Sequence, residues 1–293
     1  MEGIDEYREA GKIASEVREW SKGLIKPGAL ALDIANSVEE RIKDNGAGIA
    51  FPCNVSLNDV AAHYTPKEND TLTLGENDLV TIDLGAHVDG YISDTAYTID
   101  LSGENEDLVE ASKAALDAAI AMVAPGVSVS DIGATVEDEI RSRGFNPIEN
   151  LTGHELKQYE LHAGMAIPNI KVTFDKVLTE GQAFAIEPFA TTGRGRVIEG
   201  NITEIFSFIR SVPIRLIEGR KIMALAQERQ GLPFPERWFA GTNSLKRTMA
   251  LRELTKRDAL HGYAVLHEID GGLVSQAEHT LIVTADGCEV TTR

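Results

Sequence analysis

The stretch 80-VTIDLGAHVDGYISDTAYTI-99 decides the fold. Two runs of alternating apolar and small residues flank Asp89-Gly90, the pair favoured in a two-residue type I′ turn, so the segment reads as a β-hairpin. With that turn Val88 faces Tyr91 and Asp83 faces Ala96, while Asp94 lies two residues from Ala96. Side chains two apart share a face, which makes Asp83 and Asp94 diagonal neighbours about 7 to 8 Å apart at Cβ, unless a bulge shifts the register. Two carboxylates on one buried face repel each other, and a divalent cation between them is the economical remedy. The same spacing is also met by two solvated residues at a sheet edge. His87 and Asp89 share the parity of Asp83 but crowd the turn, where water is available.

Outward from the hairpin, the first fifty residues show helical periodicity over about 4–24 and 31–45, broken at Pro27-Gly28. A strand-rich block follows over about 50–102. Helices are predicted near 105–123, stopped by Pro125-Gly126, and near 130–143, stopped by Gly144. Short strands and turns return over 150–193, and 264–292 closes with strand-like HTLIVT and an Asp-Gly turn at 286–287. Between these β blocks, 200–263 reads as mostly helical and as an insertion. No repeat or low-complexity run appears.

At 293 residues, 43% hydrophobic and 25% charged, the chain is long enough to bury a large core without staples. The charged N-terminus has no apolar h-region, and no run of about 18 apolar residues occurs, so neither a signal peptide nor a membrane span is expected and the expected location is cytoplasmic. Cys53 and Cys288 lie in no metal-ligand spacing and read as free thiols. The net charge of -18 argues against nonspecific nucleic-acid binding by the whole molecule and is compatible with a salty cytoplasm. Residues 201–263, however, hold eleven Lys or Arg against six Asp or Glu, a local +5.

Three further segments carry chemistry: 153-GHELKQYELHAG-164, 184-FAIEPFATTG-193 and 276-QAEHTLIV-283. Glu187 and Glu278 interrupt apolar strand patterns as the two aspartates do. Singly, each is as well explained by an edge residue or a hydrogen-bonded histidine. Together they make one histidine and four carboxylates, and with 51-FPCNVSLNDVAAHYTP-66 and 81-TIDLGAHVDGYISDTA-96 the order resembles the methionine aminopeptidases of the pita-bread fold, in the short archaeal form of type II. The resemblance runs over nearly the whole chain.

It implies an α/β (α+β) pita-bread fold with pseudo-twofold halves, 1 to about 145 and about 146 to 293, forming one catalytic domain over 1–293 with a helical, winged-helix-like insertion over 200–263. It implies the metal ligands Asp83, Asp94, His154, Glu187 and Glu278. Such a set suits two divalent ions, of Co, Mn, Fe or Zn rather than Mg or Ca. Two ions about 3.5 to 4 Å apart would share a water and lower its pKa toward about 7. His63 is implied as the residue that stabilises the tetrahedral species or passes a proton to the leaving amine, His162 as a donor near the scissile carbonyl, and Glu187 as general base. Phe51, Leu161 and Tyr263 fall at positions that line the methionine pocket. Ile198 stands where some members have histidine, and Ala277 where an aromatic residue is common.

The implied activity is removal of N-terminal methionine from peptides and nascent chains, with a small second residue preferred, by a monomer. Charge alone raises a contact between the basic insertion and ribosomal RNA, against the plainer reading of a solvated cap shaping the site's mouth. The rivals are a proline-directed peptidase (prolidase or aminopeptidase P), which shares the ligand types but usually carries an added N-terminal domain, and a noncatalytic pita-bread binding module, which need not keep the ligands.

Overall fold

A computed structural model describes residues 2–173 and 176–293; Met1, at which the expected domain begins, lies outside the described residues, as do Phe174 and Asp175. The chain opens with α1 (Ile4–Ser21) and α2 (Ala31–Asp44), which pack on a sheet of β1 (Gly48–Leu57), β3 (Leu79–Val88) and β4 (Tyr91–Asp100) in the order β1-β3-β4; β2 (Val60–Ala62) pairs elsewhere. Ile34, Val38 and Ile42 form one stripe of α2 and meet Val55, Val80, Ile82 and Leu84 in a buried cluster. The hairpin register is the expected one: Val88 pairs with Tyr91, Asp83 with Ala96 and Gly85 with Asp94. Asp89 and Gly90 have φ of 49° and 85°, as a type I′ turn requires, and the bulges fall instead in the β1–β3 ladder, between Ile49 and Asn54.

A second helix pair, α3 (Glu106–Met122) and α4 (Val129–Ser142), covers a second set of strands. Ser128 caps α4, its hydroxyl accepting the Ser130 N–H at 3.1 Å. The strands are β5 (Asn146–Pro147), β6 (Thr152–Leu156), β7 (Ala166–Pro168), β8 (Ala183–Ile186), β9 (Phe189–Thr191), β13 (Val274–Gln276), β14 (His279–Val283) and β15 (Cys288–Val290), in a five-stranded order β15-β14-β8-β6-β7 and a three-stranded order β13-β9-β5. Leu116, Ile132, Val136 and Ile140 bury against Phe184, Ile186 and Leu281. Helices α3 and α4 thus precede residue 146 yet pack with the second half, repeating the helix-pair-on-sheet layer of the first.

The insertion differs from its mostly helical expectation. Its first residues extend a twelve-residue strand, β10 (Val197–Phe208), and its last enter β12 (Leu260–Glu268); between them lie α5 (Ile217–Glu228), β11 (Phe234–Pro235), a 3₁₀ turn (Glu236–Phe239) and α6 (Ser244–Lys256). The β-branched and aromatic residues of 202-ITEIFSF-208 favour a pleated surface and override the helical pattern. The strands assemble in the order β11-β10-β12-β2, and Phe206, Ile222, Phe234, Leu251 and Leu254 give the insertion its own core.

Much of its positive charge is used internally. Arg247 pairs with Glu68 and Glu236, each at 2.8 Å, and Arg257 with Glu253 at 3.2 Å. Arg210 donates to the Arg257 carbonyl at 2.7 Å. Arg237 reaches across to buried Glu39 and Thr65, while Glu39 also accepts from Trp238 Nε1 at 2.8 Å and from the Cys53 N–H at 3.0 Å. This buried network clamps the insertion onto α2 and the β1 edge of the first sheet.

Candidate metal centre

Each acidic group sits in a strand or at a strand end, where β4 of the first sheet meets β13 and β14 of the second half. Asp83 projects from β3 and Asp94 from β4, diagonal neighbours across a regular ladder. His154 lies on β6 opposite Ala185 of β8. The β8–β14 ladder pairs Ile186 with His279, so Glu187 and Glu278, one step further, flank each other at adjacent strand ends. Threonines join the halves at this level: the Asp94 N–H donates to Thr280 Oγ1 at 2.7 Å, Thr280 Oγ1 to the Asp94 carbonyl at 2.8 Å, and Thr95 Oγ1 to the Glu278 carbonyl at 2.9 Å.

These groups line one cavity of about 70 Å³, together with Phe51, Asn54, His63, Leu161, His162 and Tyr263. Ten residues singled out in the sequence therefore share a single space. One ligand atom each from Asp94, His154 and Glu278 lies within 4.8 Å of the others, and His154 Nε2 stands 3.6 Å from both Asp94 Oδ2 and Glu187 Oε1. None of the lining residues is Lys or Arg. Asp83 Oδ1 and Asp94 Oδ1 are buried with no hydrogen-bond partner among the described residues. Burial pushes the Asp83 carboxyl up to about 7, and burial with mutual repulsion raises Asp94, Glu187 and Glu278 well above the carboxylate range. Burial depresses His154 to about 3, with His162 adding to the effect, and depresses His162 to about 4, so both imidazoles are neutral at ordinary pH. Four crowded carboxyl groups, orphaned oxygens and a neutral imidazole without a cationic side chain fit a divalent metal and fit no alternative of purely organic charge balance.

The histidines form a wall. The rings of His154 and His162 are 4.4 Å apart, and Tyr263 stands 5.6 Å from His63 and 6.4 Å from His162. His63 has a left-handed φ of 67°, and its Nδ1 lies 3.1 Å from the Ala264 carbonyl, which can only accept. Nδ1 therefore carries the proton and Nε2 is the atom free to take one.

Ile198, which stands where some members have histidine, is 48% exposed on β10, opposite His267, and outside the cavity lining. His87 and Asp89 stay at the turn, also outside it. Sequence reasoning missed Asn54, Ala62, Ile205 and Pro233 as lining residues. Asn54 donates to Asp83 Oδ2 at 3.2 Å, and Gln276 donates to Glu187 Oε2 at 3.2 Å and to Glu278 Oε2 at 3.5 Å. Gln276 was findable, since it sits two residues before Glu278; Ile205 and Pro233 come from the insertion and carry no such signal.

The profile of metallopeptidase family M24 matches residues 5–284. The chain is 50% identical over 294 residues to methionine aminopeptidase from Pyrococcus abyssi, covering 99% of each. Among solved structures it is similar to methionine aminopeptidase from Thermotoga maritima, with a TM-score of 0.73 and 24% identity over 99% of this chain and 96% of that one. It is also similar to the prolidase from Pyrococcus furiosus, with a TM-score of 0.63 and 18% identity, but spans only 64% of that chain. Such identity along the full length, with a built acidic centre beneath it, means that the chain belongs to metallopeptidase family M24, among its methionine aminopeptidases.

Proposed function

We propose that the chain removes methionine from the N-terminus of peptides and nascent proteins, using two divalent ions held by Asp83, Asp94, His154, Glu187 and Glu278. The observation that carries this reading is the convergence of four carboxyl groups and one neutral imidazole, with no organic cation, on a cavity whose remaining walls are apolar and histidine-lined. When bound, the ions supply Lewis acidity, polarising a carbonyl and acidifying water. Co, Mn, Fe and Zn all suit the donor set.

The chain's own groups supply the rest. Glu187 takes the proton of the attacking water, with Gln276 holding its other oxygen at 3.2 Å. His162, neutral, offers one N–H toward the carbonyl oxygen. His63, anchored through Nδ1, must first accept a proton at Nε2 before passing it to the leaving amine. Phe51, Leu161 and Tyr263, joined by Ile205 and Pro233, give the methionine side chain an apolar slot, and a pocket difference of one methylene is worth about 1 to 3 kcal/mol, so leucine is disfavoured but not excluded. By the same family likeness a small second residue is preferred.

The test is methionine release from Met-Ala-Ser by metal-stripped protein reloaded with each of the four metals, beside Leu-Ala-Ser and Ala-Pro peptides. Metal-dependent release from the Met peptide is expected; silence with every metal at low and molar salt would turn the reading toward a binding module. A ribosomal contact through the insertion rests on Arg252 and Lys256, which form no ion pair among the described residues. Reversing both charges should reduce co-sedimentation with ribosomes, and unchanged co-sedimentation would remove that contact.

A further inference from the structure

Apart from the metal centre, a cavity of about 400 Å³ is lined by Lys43, His87, Tyr159, Glu228, Arg229 and Trp238 among others. Its chemistry is opposite to that of the chain as a whole, which carries a net -18. Arg229 and Lys43 both face it, and neither forms an ion pair with a carboxylate among the described residues. Arg229 Nη2 is spent on main-chain carbonyls, of Ile49 at 2.7 Å, Ala50 at 2.9 Å and Pro233 at 2.8 Å, and Nη1 has no protein acceptor among the described residues. The guanidinium lies 5.0 Å and the Lys43 ammonium 5.9 Å from the Trp238 ring.

Nearby carboxylates offset this charge only in part: Glu39 and Glu228 favour the Arg229 cation, and Glu39 also feels Lys43, but neither forms an ion pair with Arg229 or Lys43 among the described residues. Glu39, the nearest buried acid, is already committed to Arg237 and Trp238. Glu228 is solvent-exposed at the rim. His87 accepts the Gly90 N–H at Nδ1, 3.1 Å away, which leaves its other nitrogen as a neutral donor, and burial beside Arg229 holds it down to about 4. Burial lowers Arg229 to about 10, although Glu39 and Glu228 act in the opposite direction. A partly desolvated arginine, a second cation and a neutral imidazole around one space call for an anion with several acceptor oxygens.

We propose that this cavity binds a small oxyanion of the phosphate class between Arg229 Nη1 and Lys43 Nζ. Occupancy bears on the reaction cavity through the same guanidinium: its Nη2 holds the carbonyls of Ile49 and Ala50, immediately before Phe51, and that of Pro233, and both Phe51 and Pro233 line the metal cavity. The anion would fix the guanidinium, and with it the apolar wall against which the methionine side chain rests.

The chain has two tryptophans, so Trp20→Phe leaves Trp238 as the only indole reporter. Metal-loaded Trp20→Phe protein is titrated with inorganic phosphate at constant ionic strength, with chloride as the balance, and with acetate in parallel. A saturable change in Trp238 fluorescence is expected, with acetate at least tenfold weaker. Lys43 is exposed on α2, so Lys43→Gln should fold normally, and it is expected to raise the phosphate midpoint at least tenfold. Phosphate that merely occupies the metal centre would act equally on both proteins. An unsaturable response, an equal response to acetate, or an unchanged midpoint in Lys43→Gln would each overturn the proposal, and none bears on whether the enzyme cleaves Met-Ala-Ser.

Discussion

Replacing Asp83 by Asn should make the metal-stripped protein more stable at pH 8 and abolish most of the stabilisation that metal provides. With no ion between the carboxylates, Asp83 titrates at about 7 rather than 3.8, because burial penalises its charge and only Asn54 offsets it. The folded-state value is raised, so the group's favourable contribution is fully present below the unfolded value and is lost as pH rises toward 7. A shift of about three units corresponds to about 4 kcal/mol of lost stability at pH 8 relative to pH 3, an upper bound for a group that faces a cavity water can enter. Asn removes the charge and keeps an acceptor for Asn54 Nδ2. For a chain of this size about 4 kcal/mol corresponds to a Tm rise of at most about 6 to 7 °C, smaller to the extent that water enters.

The assay is thermal unfolding of chelator-treated wild type and Asp83→Asn between pH 5 and 8, repeated with saturating Mn. Wild type should lose stability as pH rises when stripped and regain it on metal addition, since an ion displaces the protons the carboxylates otherwise retain. The variant should show a flatter pH dependence when stripped and a much smaller metal response. A stripped variant less stable than wild type at pH 8, with an unchanged pH profile, would refute the claim that Asp83 is held at a cost recovered only by a cation.

Asn54→Ala removes the donor that orients Asp83 and should weaken metal affinity 10- to 100-fold by chelator competition while changing Tm little in stripped protein; unchanged affinity would exclude that role. His63→Ala should lower kcat for Met-Ala-Ser by about 10² to 10⁴ with a smaller change in KM, and a loss confined to KM would make His63 a binding group instead. Glu39→Leu or Arg237→Met alone should cost about 3 to 5 kcal/mol in urea unfolding, because each leaves a buried charge unpaired, whereas the double variant should recover much of it; additive losses would show that the pair is not a coupled unit.

The contrast between Asp83 and Ile205 shows what was legible in the sequence. Asp83 and Asp94 could be placed on one face because a two-residue turn and the period of two fix an antiparallel register locally, and the ladder carries no bulge between Leu79 and Asp100. Glu187 and Glu278 were visible as charges inside apolar strands, yet that β8 and β14 are neighbours follows from a pairing of residues about ninety apart, which no local period encodes. For those two, and for the roles proposed for His63 and His162, the reading rests on family resemblance rather than on residue chemistry. The insertion was the weakest reading: its helical spacing hid a long strand, so Ile205 and Pro233 went unnoticed as cavity walls. The same strand shows why the departure at Ile198 leaves the cavity lining unchanged. Strand β10 passes from the solvent-facing end that carries Ile198 to the cavity wall at Ile205, with register shifts against β12 between Glu199 and Ile205. Those irregularities re-aim its side chains, so which of them face substrate is set by the fold of the insertion and not by their order in the chain.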